Sequence, residues 1–149
     1  AQAIVPNVKK KIQEYHDRGD EIVFTRDTHH EDYLRTSEGK KLPIVHCIEN
    51  THGWEIADGL EVENCMYVDK RTFGYAHWGI FGFKKTDEVE IIGLDTDICV
   101  VSNALILKAM YPNRMSITVD ASCCAGSTPE KHKAALEVMK SCQIDVIGE

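Results

Sequence analysis

Apolar positions along the chain switch between two periods. In "NVKKKIQEYHDR" (7–18), Val8, Ile12 and Tyr15 recur at helical spacing and Gly19 suits the stop, which predicts a helix. "EIVFT" (21–25) predicts a short strand, and residues 26–60 follow as a long polar stretch with little periodicity. "CMYVD" (65–69) predicts a second strand, and 71–87 is irregular but carries Phe73, Tyr75, Trp78, Phe81 and Phe83. "VEIIGL" (89–94) is nearly continuous in apolar character, as a strand covered on both faces is. A helix is expected from there to about Met110, then a strand at "MSITVD" (115–120). A helix follows at "PEKHKAALEVMKSC", with Thr128 as N-cap and Pro129 in its first turn, and "DVIGE" closes as a strand.

Strands alternating with helices predict an α/β fold with a mostly parallel sheet. Such sheets bind ligands beyond the C-terminal ends of their strands, so the loops starting at Arg26, Lys70, Asp95 and Ala121 are the places to look. The chain opens on a helix, where a doubly wound domain opens on a strand.

The 149 residues suit one domain spanning 1–149, with a real core. A net charge of −7 argues against non-specific nucleic-acid binding, which needs a basic face. No apolar run is long enough to span a membrane, and no signal peptide is visible. The six cysteines form no CxxC pair, and several sit in apolar strand contexts. A reduced, cytoplasmic protein is expected.

Four segments carry chemistry. "TRDTHHEDY" follows the first strand and offers Asp27, His29 and His30; "LPIVHC" offers His46. In extended geometry Asp27 and His29 point the same way. Two imidazoles and a carboxylate suit a divalent transition metal. Solvated loop histidines are the plainer alternative in a chain with seven of them. "VDKRTFGY" puts Lys70 at a strand end, either as an ordinary surface lysine or as a cation that favours a thiolate. "GLDTDICVVSNALILKA" puts Cys99 where a strand gives way to a helix. A thiol at a helix start tends to ionise, and backbone N–H groups there can converge on an oxyanion. Packing as a small hydrophobe is the alternative. Cys123 and Cys124, placed after a strand end, are expected to pack and nothing more.

Taken together, "FTRDTHH", "LPIVHCIENTHGWEI", "VDKRTFGY" and "GLDTDICVVSNALILKA" resemble the cysteine-hydrolase, or isochorismatase-like, superfamily, and within it the nicotinamidases. The order and spacing agree from Ala3 to about Gly148. The resemblance implies a three-layer, Rossmann-like α/β/α fold. It implies Cys99 as the nucleophile that attacks a small carboxamide, forms a thioester and releases ammonia. Lys70 would stabilise the thiolate, and the backbone N–H groups of Asp95 and Cys99 would form the oxyanion hole. A cis non-proline peptide is expected at Leu94–Asp95. Asp27, His29 and His46 would hold zinc, with manganese or iron as alternatives. In nicotinamidases that metal orients the pyridine ring and does not generate the nucleophile. Phe73, Tyr75 and Trp78 either pack in the core or wall a planar substrate. A homo-oligomer is expected.

The chain departs from the family pattern at three points. The family's general-base aspartate, at the end of its first strand, has no counterpart here, as expected if the chain begins after that strand. Thr28 stands where the family has an aromatic residue between the metal Asp and His. "THGWE" replaces a Thr-Pro-Gly turn. Two other readings compete with the amidase: an isochorismatase-type ether hydrolase, whose members generally lack the cysteine, and a non-catalytic assembly domain.

Overall fold

The computed structural model describes residues 1–84, 87–112 and 115–149. The irregular stretch expected over 71–87 therefore includes two positions, 85 and 86, outside the described residues. The elements run α1 (Val5–Arg18), β1 (Val23–Asp27), α2 (Ser37–Lys41), β2 (Met66–Lys70), β3 (Glu88–Leu94), α3 (Val101–Met110), β4 (Ser116–Ala125), α4 (Pro129–Ser141) and β5 (Asp145–Ile147). β1 and β2 form one parallel sheet, and β3, β4 and β5 form another in that order, also parallel. The α/β class and the parallel pairing follow the sequence pattern. Among the described residues no helix is long and apolar enough to cross a membrane.

The chain divides into two compact units, residues 12–72 and residues 1–11 with 73–149. In the larger unit, α3 and α4 pack on β4, and α4 also touches β5. Val100, Ala104, Leu107, Ile117, Val119, Leu136 and Met139 fill this core. The N-cap of α4 is as expected: Thr128 Oγ1 accepts from the Lys131 amide, with Pro129 at the helix start. β3 is half-buried from Val89 to Gly93 and exposed at Glu88 and Leu94, rather than covered on both faces.

β4 continues to Ala125, beyond the expected end at Asp120. Asp120 Oδ1 accepts from both the Ser122 amide (3.0 Å) and its hydroxyl (2.6 Å). That local kink accompanies a register shift: Ile91 faces Val119, but Gly93 faces Cys124 and Leu94 faces Ala125. Cys123 and Cys124 thus lie inside a strand and are buried, rather than following one. The loop to inspect here starts after Ala125, not at Ala121.

In the smaller unit, β1 and β2 pair from Val23↔Met66 to Asp27↔Lys70. The long polar stretch with little periodicity contains α2, capped by Thr36, whose Oγ1 accepts from the Gly39 amide at 3.0 Å. Gly39 is required there: a Cβ would sit 2.1 Å from the Tyr33 carbonyl oxygen. Tyr33 is fully buried and its hydroxyl donates to the Leu42 carbonyl at 2.9 Å. The 33–42 segment folds on this ring.

Candidate active site

The last rung of the β1–β2 ladder pairs Asp27 with Lys70. In a parallel rung both side chains leave the same face, and the Lys70 ammonium donates to Asp27 Oδ1. Lys70 is only 4% exposed, far from the ordinary surface lysine that the sequence also allowed. A buried ammonium needs such a partner, since desolvation otherwise costs several kcal/mol.

Beyond β1 the chain stays extended and is zipped onto a second segment. The His29 amide donates to the Cys47 carbonyl and the Glu49 amide to the His29 carbonyl, each at 2.9 Å. The resulting bridge, His29 to Ile48, draws His46 to His29, with ring centroids 4.9 Å apart. Cys47 turns the chain there with φ of 47°. Tyr33 packs against both imidazoles, at 4.6 and 5.0 Å. α2 then presents Glu38, whose Oε1 lies 3.6 Å from His29 Nε2 and 3.8 Å from His46 Nε2.

His29, Glu38 and His46 offer three ligand atoms within 4.8 Å of one another. His46 Nδ1 is 2.7 Å from the Ile44 carbonyl, which can only accept. Nδ1 therefore carries a proton, and in the neutral imidazole Nε2 keeps its lone pair, the arrangement seen in metal-binding histidines. Among the described residues, His29 Nε2 is buried with no hydrogen-bond partner. Ligand atoms about 3.4 Å apart are what a tetrahedral ion with bonds of about 2.1 Å asks for. The donor set and the orphaned nitrogen fit a divalent metal. His29 and His46 are brought together as expected. The carboxylate of the cluster is Glu38, whereas Asp27 is held by Lys70. His30 lies outside the cluster, 3.2 Å from Glu49.

Two departures from the family pattern meet in one contact. Thr28 is buried, and its Oγ1 accepts from the Trp54 indole N–H at 2.8 Å. The Arg26 guanidinium lies 3.7 Å over the Trp54 ring and grips Asp69 with two nitrogens, at 2.7 and 3.1 Å. The "THGWE" turn thus supplies an indole that Thr28 leaves room for and hydrogen-bonds.

In the larger unit, β3 ends at the cis peptide Leu94–Asp95, the bond the family resemblance implies. Thr96–Val100 then form one π-helical turn, in which the Val100 amide reaches back to the Asp95 carbonyl at 3.1 Å. Such turns are rare and concentrate at functional sites. The sequence placed Cys99 only where a strand gives way to a helix. Half-buried Cys99 sits within this π turn, before α3 begins.

The turn is anchored from below. Fully buried Thr96 places Oγ1 2.8 Å from His132 Nδ1 on α4. Asp97 accepts from the Ser127 amide and hydroxyl, both at 2.7 Å. Burial acts to raise the Asp97 pKa, but the Ser127 bonds and the Lys131 charge outweigh it and hold the carboxyl below its usual range. A Cβ on Gly126 would come 2.7 Å from Asp97 Oδ1, so this approach needs glycine.

Of the aromatic residues, Phe73 is 45% exposed, Tyr75 is half-buried, and Trp78 is buried with its indole N–H on Asn103. Trp78 is a core residue, and Phe73 is the ring open to a ligand. Burial pushes the Cys124 thiol up to about 12, consistent with a packing role.

Sequence reasoning missed Glu38, Tyr33, Trp54, His132 and Asn103. Thr36 and Glu38 in "TSEGKK" carry the one local signal, a capping residue with an acid in the first turn. Trp54, His132 and Asn103 act through contacts distant in sequence, and Tyr33 through its burial against His29 and Leu42.

Comparison with known proteins bears on the family and the fold. The isochorismatase domain profile matches residues 1–148. A nicotinamidase of Schizosaccharomyces pombe is 25% identical over 187 aligned residues, covering 100% of this chain and 83% of that protein. The pyrazinamidase/nicotinamidase of Streptococcus mutans superposes with a TM-score of 0.82 at 26% identity, covering 99% of this chain and 86% of the other. The pyrazinamidase of Pyrococcus horikoshii, solved in complex with zinc, gives 0.79 at 28% identity, covering 98% and 85%.

Proposed function

The chain belongs to the isochorismatase family of hydrolases, and on that premise we propose that it cleaves a small carboxamide, nicotinamide or an analogue, to the acid and ammonia. Cys99 is the proposed nucleophile. Its sulfur attacks the amide carbonyl, the C–N bond breaks, ammonia leaves with a transferred proton, and water hydrolyses the thioester. Lys70 is proposed as the cation that favours the thiolate, and the backbone N–H groups of Asp95 and Cys99 as the oxyanion donors. The two compact units are taken as parts of one catalytic domain.

His29, Glu38 and His46 would hold a divalent ion, zinc first, manganese or iron as alternatives; Asp27 is proposed as a further ligand that Lys70 holds in place. When bound, the ion supplies a Lewis acid to a heteroatom of the substrate. Phe73 is proposed to wall a planar ring. The same reading includes a cytoplasmic homo-oligomer, checked by light scattering.

One observation carries the reading: a half-buried thiol, Cys99, on a π turn at the C-terminal end of β3. Ether-cleaving members of the family generally lack a cysteine there. The test is ammonia release from nicotinamide, pyrazinamide and aliphatic amides by zinc-loaded protein. Release from an aromatic carboxamide is expected. Hydrolysis of none of them, by folded and metal-loaded protein, would overturn the assignment.

A further inference from the structure

Asn103 is 5% exposed and uses every hydrogen-bonding position it has. Its Oδ1 accepts from the Tyr75 amide at 2.9 Å and the Trp78 indole N–H at 3.0 Å. Its Nδ2 donates to the Phe73 carbonyl at 3.1 Å and to the Cys99 carbonyl at 2.8 Å. Three of these bonds go to the aromatic segment 73–78, and the fourth goes to the residue that carries the thiol.

The reason lies in the π turn. Where π geometry passes into α3, two successive carbonyls take side-chain donors one turn on: Ser102 Oγ serves Ile98 at 2.6 Å, and Asn103 Nδ2 serves Cys99. Serine stops at the helix. Asparagine reaches out of it. A second observation agrees. A Cβ on Gly74 would lie 2.4 Å from Ile106 Cδ1 and 3.4 Å from Ser102 Cβ, so the segment backbone is seated directly on α3.

We propose that Asn103 is a positioning residue that fixes the 73–78 segment to the Cys99 backbone, so that the ring of Phe73 keeps a set place relative to the thiol and the site selects planar aromatic groups. This rests on the reading of Cys99 as nucleophile. Asn103 itself touches neither thiol nor substrate in this scheme. It transmits position, as a buried and fully satisfied polar network does.

The discriminating variant is Asn103→Thr. A threonine hydroxyl can still donate back to the Cys99 carbonyl, as Ser102 does one residue earlier, but it cannot span to Tyr75 and Trp78. We expect a folded protein in which KM for the aromatic carboxamide rises about tenfold or more while kcat changes little. The Trp78 indole N–H should exchange with solvent faster by NMR. A purely structural role predicts lower thermal stability with unchanged KM, and that result would overturn the proposal.

A second readout needs no turnover. Peptide mapping compares alkylation of Cys99 by N-phenylmaleimide and N-methylmaleimide. The wild-type preference for the phenyl reagent should shrink in Asn103→Thr; an unchanged ratio would overturn the proposal even if the amidase reading failed. Should Asn103→Thr not fold, Gly74→Val keeps Asn103 and sets a branched side chain against both Ile106 and the Ser102 Cβ, more than a rotation of Ile106 can absorb, so the segment is lifted. It should shift KM and the maleimide ratio in the same direction, and no shift in either would overturn the proposal.

Discussion

The two units meet their polar needs in opposite ways. In residues 12–72, His29 Nε2 is buried without a hydrogen-bond partner among the described residues, and Glu38 stands 3.6 Å away, too far to be one. An unmet buried polar atom costs about 1–3 kcal/mol. In residues 73–149 the corresponding groups are paired. Thr96 has His132, Asp97 has Ser127, and Asn103 has four partners. The difference separates a cluster with spare ligand atoms from a turn whose polar groups pair within the fold. The histidine cluster should therefore gain stability on binding metal, whereas the Cys99 turn should be the same with or without it.

The largest effect that can break this contrast is on turnover. Cys99→Ser should lower ammonia release by about a thousandfold or more, while zinc content by mass spectrometry stays at the wild-type level. Loss of zinc in that variant would show that the contrast is false. Next comes His29→Ala. Metal at a hundredfold excess over its Kd should stabilise the wild type by about 2.7 kcal/mol, read as a rise in Tm, and this gain should vanish in His29→Ala.

Thr96→Val removes one partner of a buried bond and leaves His132 Nδ1 unmatched. A loss of about 1–3 kcal/mol is expected in urea unfolding, with the metal-dependent rise in Tm intact. The smallest effect concerns acid. The Asp97 carboxyl sits below its ordinary pKa, so its contribution to stability is complete above the unfolded value of about 4 and is lost as pH falls through the lower folded value. Asp97→Asn should flatten the stability profile in that window, and an unaltered acid limb would remove Asp97 from the anchoring of the turn.

How far the sequence revealed these arrangements depends on range. β1 to β5, α1, α3 and α4 were legible because each carries its own periodicity or cap, such as Val8 and Ile12 on α1 or Thr128 and Pro129 on α4. α2 was not, because five residues are too few for a period to show and its support is the buried Tyr33 ring. The extension of β4 to Ala125 was also hidden, since it follows from re-pairing with Gly93 and Leu94. His29 and His46 were legible as metal-ligand types. Their partner Glu38 was not, because a carboxylate in a polar run looks solvated until the 33–42 segment folds back. Asn103 gave no sign at all, since its bonds to Phe73, Tyr75 and Trp78 span 25 or more positions.

The central claim is covalent: the Cys99 sulfur takes the acyl group of a carboxamide. The most direct measurement is acid quench of zinc-loaded protein with excess nicotinamide in the first turnovers, followed by intact-mass and peptide mass spectrometry. The account predicts a mass gain of one nicotinoyl group, mapped to the peptide bearing Cys99, discharged by hydroxylamine and missing from Cys99→Ser. Ammonia release at an undiminished rate from Cys99→Ser, or an acyl group on another cysteine, would contradict it.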